Sequence, residues 1–206
     1  MQIPLKSRRE LLLEVLPACS LCFGFSRLAS GNASIQATQS LSLEKRASER
    51  TEMSYADLFS FSYDRIIAVF ANLCDQIGKD KFIEMLKQAS YERAFRSMES
   101  VAKNVPESAR DMATYLSVFR NPSPIYQHAL TYEILKDSEK EAELSVTECL
   151  WAKTFRRFNA ADIGYAFVCI DDEATIKAYN PKIDLKRPKL LMRGDNECRY
   201  LFRMES

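Results

Sequence analysis

A single histidine, His128, stands in this chain of 206 residues, so any Cys-His nucleophile pair must use that one side chain. The chain has no glycine-rich phosphate loop and no His-x-x-x-His helix, and downstream of residue 33 no Cys-x-x-Cys pair occurs. The usual sequence marks of a nucleotide cradle, a helical zinc site and a dithiol redox centre are therefore missing. Neither sign of charge dominates: 29 Lys and Arg face 28 Asp and Glu, interspersed, for a formal charge of +1. That leaves no electrostatic footprint for nucleic acid or for an anionic lipid surface. The apolar runs are too short and interrupted to span a bilayer stably. Glycine and proline are scarce and the hydrophobic fraction is 47%, which excludes disorder over the whole chain. About 200 residues are enough for one domain that buries its own core without staples.

The N-terminus departs from that globular texture. Arg8 and Arg9 precede an apolar run from Leu11 to Phe25, broken by Glu14 and Pro17, and the small residues Ala29-Ser30-Gly31-Asn32-Ala33 follow. A basic start, a short apolar stretch and small residues near a cut site make a secretory signal. The order Ser7-Arg8-Arg9-Glu10-Leu11-Leu12 resembles a twin-arginine signal, which implies an encounter with export machinery and a periplasmic address. Cleavage after Ala33 leaves Gly31 and Ala33 at the two specificity positions; a lipobox-like Leu16-Pro17-Ala18-Cys19 is the second option. A buried amphipathic helix is the competing reading, and Glu14, Pro17 and Gly24 suit it poorly. Residues 1–33 are thus read as signal, 34–54 as a polar linker with poor periodicity, and 55–206 as a single domain.

Within that domain, Leu58, Phe61, Ile66, Val69, Phe70 and Leu73 recur at helical spacing, with Gly78 as the stop. Phe82, Met85, Leu86, Ala89, Ala94, Phe95, Met98 and Val101 line a second helix that runs toward Pro106, with Arg93 on its wet side. Ser108 and Asp111 cap a third, carrying Met112 to Phe119, which Asn121-Pro122-Ser123-Pro124 ends. The period then shifts toward two: Ala129 to Leu135 and Ala142 to Val146 form a hairpin around Asp137-Ser138-Glu139-Lys140, with His128 opening its first strand. Trp151 to Phe158 and Ala160 to Tyr179, the latter capped by Asn159, read as helices. Leu190-Leu191-Met192 and Tyr200-Leu201-Phe202 bracket Gly194-Asp195-Asn196 as a second hairpin. Helices, hairpin, helices, hairpin is an α+β order with an antiparallel sheet of about four strands.

Chemistry concentrates between Thr147 and Phe202, where Cys149, Cys169 and Cys198 lie near places where the pattern changes. Three readings stand side by side: small buried residues, a disulfide between two of them, or a reactive or ligating cluster, since a thiolate needs a cation, a helix N-terminus or a metal beside it. Cys74, among apolar neighbours on the first helix, reads as an inert core thiol.

The ordered set Glu148-Cys149, Cys169-x-x-Asp172, Asn180-Pro181 and Gly194-x-x-x-Cys198-x-x-x-Phe202 resembles the C-terminal signature of the L-2-amino-thiazoline-4-carboxylic acid hydrolase family, over roughly residues 65 to 204. The resemblance implies a bacterial hydrolase that opens a cyclic, amidine-like C–N bond by attack at the ring carbon between nitrogen and sulfur. It implies Cys149 or Cys169 at the reacting centre and Asp172 as base or orienting carboxylate. Asn180, Gly194 and Cys198 fall on the substrate side, and Lys189 and Arg193 are the candidate cations for a substrate carboxylate. No cofactor is required, and a metal at Cys149, Cys169 and Cys198 stays open. The alternative is an exported non-catalytic module that holds a metal or a small molecule in the three-cysteine pocket.

Overall fold

The computed structural model describes residues 52–205. The signal expected at 1–33, Cys19 and nearly all of the linker expected at 34–54 lie outside the described residues. Ser54 opens the first helix, α1 (Tyr55–Ile77), by accepting the Asp57 amide at 3.1 Å on its hydroxyl, which satisfies one of the orphan donors of a helix start. Gly78 closes it with φ at 90° and leads directly into α2 (Lys79–Ala102), a backbone turn open to glycine and strained for other residues. The third predicted helix is instead a 3₁₀ turn (Glu107–Ala109) followed by α3 (Met112–Tyr115) and α4 (Ser117–Arg120). Asp111 is the cap there, accepting the Thr114 amide at 2.7 Å, and α2 stops short of Pro106.

A short helix, α5 (Pro124–Ala129), follows where the sequence reading placed a terminator. Proline at the first helical position needs no amide partner, and Ser123 caps the turn, so the same Ser-Pro ends one helix and starts the next. His128 therefore sits in the last turn of α5, its ring 5.0 Å from that of Tyr55, and not in a strand.

The first hairpin pairs β1 (Leu130–Asp137) with β2 (Glu141–Cys149), and the sheet runs β1-β2-β4-β3, antiparallel throughout. Central β4 (Cys198–Met204) sets Cys198 opposite Val146, Tyr200 opposite Leu144 and Phe202 opposite Ala142. These residues alternate on one face and enter the core, while Glu143, Arg199, Glu197 and Lys189 are linked as ion pairs. The last strand to be placed, β3, is Ile183–Lys189, upstream of the apolar Leu190-Leu191-Met192 run. That run is buried but curls into a 3₁₀ turn (Leu191–Arg193) closed by left-handed Gly194. Pro188 explains the displacement: it removes a ladder donor and is tolerated only at the sheet edge, where β3 lies, with a register shift between Lys186 and Lys189.

Between the hairpins, α6 (Leu150–Arg157), α7 (Ala161–Gly164), a π-helical turn (Tyr165–Cys169) and α8 (Ile170–Tyr179) complete the chain. Asn159 does not cap α7; it takes φ of 54° and hands that position to Ala160. The described residues are thus an α+β domain with helices first and a four-stranded antiparallel sheet behind, and no helix among them is long and apolar enough to cross a membrane.

Two apolar clusters form the interior. One packs the sheet residues Leu144, Val146 and Phe202 against Ile176 and Tyr179 of α8; the other gathers Ile67, Phe155, Ile163 and Met192 under α1, α6 and α7. Cys149, Tyr165 and Leu191 touch both. The seam between the clusters is where the cavity opens.

Candidate active site

Each candidate side chain owes its place to a local break in regular structure. Cys149 is the last residue of β2 and the N-cap of α6, its Sγ accepting the Ala152 amide at 3.5 Å. Cys198 begins β4, with Sγ accepting the Leu191 amide at 3.2 Å from the 3₁₀ turn. Cys169 ends the π turn inside a continuous helical run, away from any strand junction. A π turn widens the arc a helix presents on one side, and here Phe167, Val168, Cys169, Asp171 and Asp172 all face the same cavity of about 360 Å³. Cys149 and Cys198 line that cavity as well.

Asp172 is 37% exposed, and it is among the residues that line this cavity. Arg187 Nη1 donates to its Oδ2 at 2.9 Å and the Tyr200 hydroxyl donates to the same oxygen at 3.1 Å. Among the described residues nothing donates to Oδ1, which leaves that oxygen for a water or a substrate proton. Burial raises the Asp172 carboxyl to about 6, against the opposing pull of Arg187 and Tyr200. Tyr200, its own pKa pushed well up by burial and by Asp172, stays a protonated donor.

Arg187 is only 4% exposed. It also donates to the Cys169 carbonyl at 2.6 Å and to Glu173 Oε1. Burial alone disfavours its charge, but Asp172, Tyr200 and Glu173 more than offset that, so the guanidinium stays cationic. The three bonds tie β3 to the helix that carries both Cys169 and Asp172.

The thiols behave differently. Burial lifts Cys149 to about 11, outweighing the amide at the α6 N-terminus, and lifts Cys169 well above the ordinary thiol value, with Asp172 adding to the rise and Arg187 opposing it. Cys198 is raised too, chiefly by burial. All three are thiols at neutral pH. With Cys74 they are the free cysteines of the described residues, and no group of three or more His, Cys, Asp or Glu among those residues is disposed to hold a metal ion. Half-buried Cys74 packs on the second cluster.

The structure brings Cys149, Cys169, Asp172 and Cys198 to one cavity and sets the other candidates elsewhere. Asn180 donates its amide to the Arg110 carbonyl at 2.5 Å. Lys189 pairs with Glu197 at 3.0 Å, a carboxylate that Ser145, Lys189 and Arg199 hold down to about 2. Arg193 lies 4.5 Å over the Tyr165 ring, and Gly194 serves the turn. None of the four lines the cavity. In their place Tyr200 and Arg93 line it, and Arg187 stands behind Asp172. Period two along β3 puts Arg187 on the face of Ile183 and Leu185, and an inward charge in a strand is the sequence signal that could have exposed it. Tyr200 likewise shares its face with Cys198 and Phe202.

An α+β domain whose small cavity is lined by two carboxylates, aromatic rings and thiols has the shape and lining of a small-molecule site. Over residues 59–202, well over half of its length, the chain matches the L-2-amino-thiazoline-4-carboxylic acid hydrolase family, and it belongs to that family. No curated protein matches it. Among solved structures it is similar to a trafficking protein particle complex subunit 3 from Naegleria fowleri covalently bound to palmitic acid, at 10% identity over 71% of this chain and 96% of that one, TM-score 0.44. It is also similar to the phenol-responsive sensory domain of the transcription activator PoxR with phenol, at 15% identity over 68% and 73%, TM-score 0.41. At these scores neither speaks to the chemistry of the cavity.

Proposed function

We propose that the protein is a hydrolase that opens the C–N bond of a small cyclic amidine, with Asp172 as its general base. The supporting observation is the half-engaged carboxylate: one oxygen of Asp172 is fixed by Arg187 and Tyr200, the other is free, and its pKa of about 6 suits proton transfer near neutrality. In this reading a water attacks the ring carbon between nitrogen and sulfur. The new C–O bond forms as the water proton passes to Asp172. With the amidine nitrogen already protonated, its C=N π pair moves onto nitrogen as the water oxygen adds. The remaining carbon–nitrogen bond then breaks as Asp172 returns the water proton to that nitrogen, the added hydroxyl becomes the carbonyl, and its proton passes to the released amine. Cys149 and Cys169, uncharged at neutral pH, form the wall beside the reacting carbon. A substrate bound there could bring one of them into the chemistry as a nucleophile, with Asp172 accepting the thiol proton, because Cys169 lies three residues from Asp172 along the helix.

Turnover of 2-amino-thiazoline-4-carboxylate by purified protein, and its loss in Asp172→Asn, tests this function. A folded protein with no turnover favours the second reading, a non-catalytic module that holds a small molecule in the same cavity. The protonated thiols and the aromatic wall are what support that alternative. Export before cleavage after Ala33 belongs to the same proposal, resting on Ser7-Arg8-Arg9 and the apolar run after it.

A further inference from the structure

Charge in the cavity wall is uneven. Asp171 and Asp172 both line it, and among the described residues Arg93 of α2 is the sole lysine or arginine that does. Arg187, the other nearby cation, is 4% exposed, with its donors committed to Asp172, Glu173 and the Cys169 carbonyl. Arg93 is in the opposite condition. Its side chain is 60% exposed, and its contact with Asp171 is a single bond from Nη2 to Oδ2 at 2.5 Å. An arginine carries five donors in a planar fork, so Arg93 can receive a carboxylate and still hold Asp171. Asp171 meanwhile keeps its Oδ1 buried with no partner among the described residues, Arg93 is its one ion-pair partner among them, and that bond holds the guanidinium beside the cavity.

We infer that Arg93 is the anchor for the carboxylate of the substrate, and so sets which end of the ring faces Asp172. The inference rests on the reading above, in which the substrate joins a carboxylate to a basic amidine. Such a molecule matches the wall at both ends: the amidine, cationic when protonated, meets Asp172, and the carboxylate meets Arg93 in the fork geometry that guanidinium favours. Tyr63, Tyr126, Trp151 and Phe167 add flat aromatic faces to the same cavity. Lys189 and Arg193, the cations that the sequence reading offered for a substrate carboxylate, are engaged outside the cavity. The competing account is a plain ion pair tying α2 to α8, which would be indifferent to any ligand carboxylate.

Binding separates the two without requiring catalysis. The aromatic ring 2-aminothiazole-4-carboxylate, which the proposed hydrolysis does not open, and 2-aminothiazole without the carboxylate are titrated calorimetrically into the folded protein, Arg93→Gln and Arg93→Lys. The expected result is that the unsubstituted protein prefers the carboxylated ring by about tenfold or more, in line with a charge-assisted bond. Arg93→Gln should bring the two rings to parity, and Arg93→Lys, which keeps the charge without the fork, should retain part of the preference. Equal affinity for both rings in the unsubstituted protein, no binding of either, or a preference that survives Arg93→Gln overturns the anchor. An Arg93-dependent preference in a protein that does not turn over the thiazoline upholds the anchor and overturns the hydrolase reading.

Discussion

Both bonds that hold Asp172 land on one oxygen, so the residue is oriented and still has an oxygen to work with. If that oxygen takes the proton in the rate-limiting step, Asp172→Asn should lower kcat/KM by about a hundredfold or more, the usual size of a general-base contribution. The base is active as carboxylate. Its pKa of about 6 therefore predicts a rate of free enzyme that is flat above that pH and falls tenfold per unit below it. Arg187 opposes the effect of burial on this group, so removing its charge must raise the pKa. Arg187→Met should move the acid limb to higher pH, and an unmoved limb in a folded variant would show that another group titrates. The thiols allow an independent check: with Cys149 at about 11, alkylation by iodoacetamide should be slow at pH 7.5 and quicken toward pH 10, because the thiolate is the nucleophile. Fast labelling of Cys149 at neutral pH would mean that its environment is more polar than the packing indicates.

Elements put these residues in place, and one glycine makes the tightest demand. A Cβ at Gly164 would lie 2.7 Å from both Met192 Sδ and Phe155 Cγ, at the end of α7 where the π turn begins. Gly164→Ala should thus destabilise by about 1–3 kcal/mol, the range for overpacking a filled core, read as a lower urea midpoint with an unchanged slope. Because Met192 also lines the cavity, ligand affinity should fall with it. The sequence already showed α1, α2 and the first hairpin, where apolar period and polar turn agree. The grouping of Cys149, Cys169, Cys198 and Asp172 came only from the family resemblance, because the residues themselves left core thiols, a disulfide and a reactive cluster side by side. The sequence concealed β3, since Pro188 and the basic residues around it mask the alternation of Ile183, Leu185 and Arg187. It concealed α5 because a proline after serine starts a helix as readily as it ends one. The π turn was hidden for another reason: the residues Tyr165 to Cys169 have no compositional mark that separates an i→i+5 turn from the α-helix around it. Arg93 was placed on the wet side of α2 by its neighbours, and what brings it to the cavity is Asp171, 78 residues away.

At the scale of the whole molecule, the cavity lies on the seam of two apolar clusters, so its shape depends on both remaining packed. Phe155 is completely buried in the second cluster, and its ring meets Tyr63 and Phe167, two residues of the cavity wall. Phe155→Ala should cost about 3–5 kcal/mol and take ligand binding down with folding, whereas Asp172→Asn should remove turnover with a smaller loss of stability, because Glu173 still pairs the buried Arg187. The seam also bears on where the protein can work. Free thiols delivered to an oxidising compartment are exposed to pairing and oxidation in proportion to their thiolate fraction. Burial keeps Cys149, Cys169 and Cys198 protonated, and a pathway that carries proteins already folded would deliver them in that protected state. The twin-arginine export proposed from Ser7-Arg8-Arg9 predicts a specific defect. Replacing Arg8 and Arg9 with lysine should leave uncleaved precursor in the cytoplasm, detected by fractionation and by mass spectrometry of the N-terminus, which in the exported protein should begin near Ser34 with its cysteines unpaired. Normal export of the double-lysine variant, or a mature protein in which two of these cysteines are disulfide-linked, would break the connection between the leader and the protected thiols.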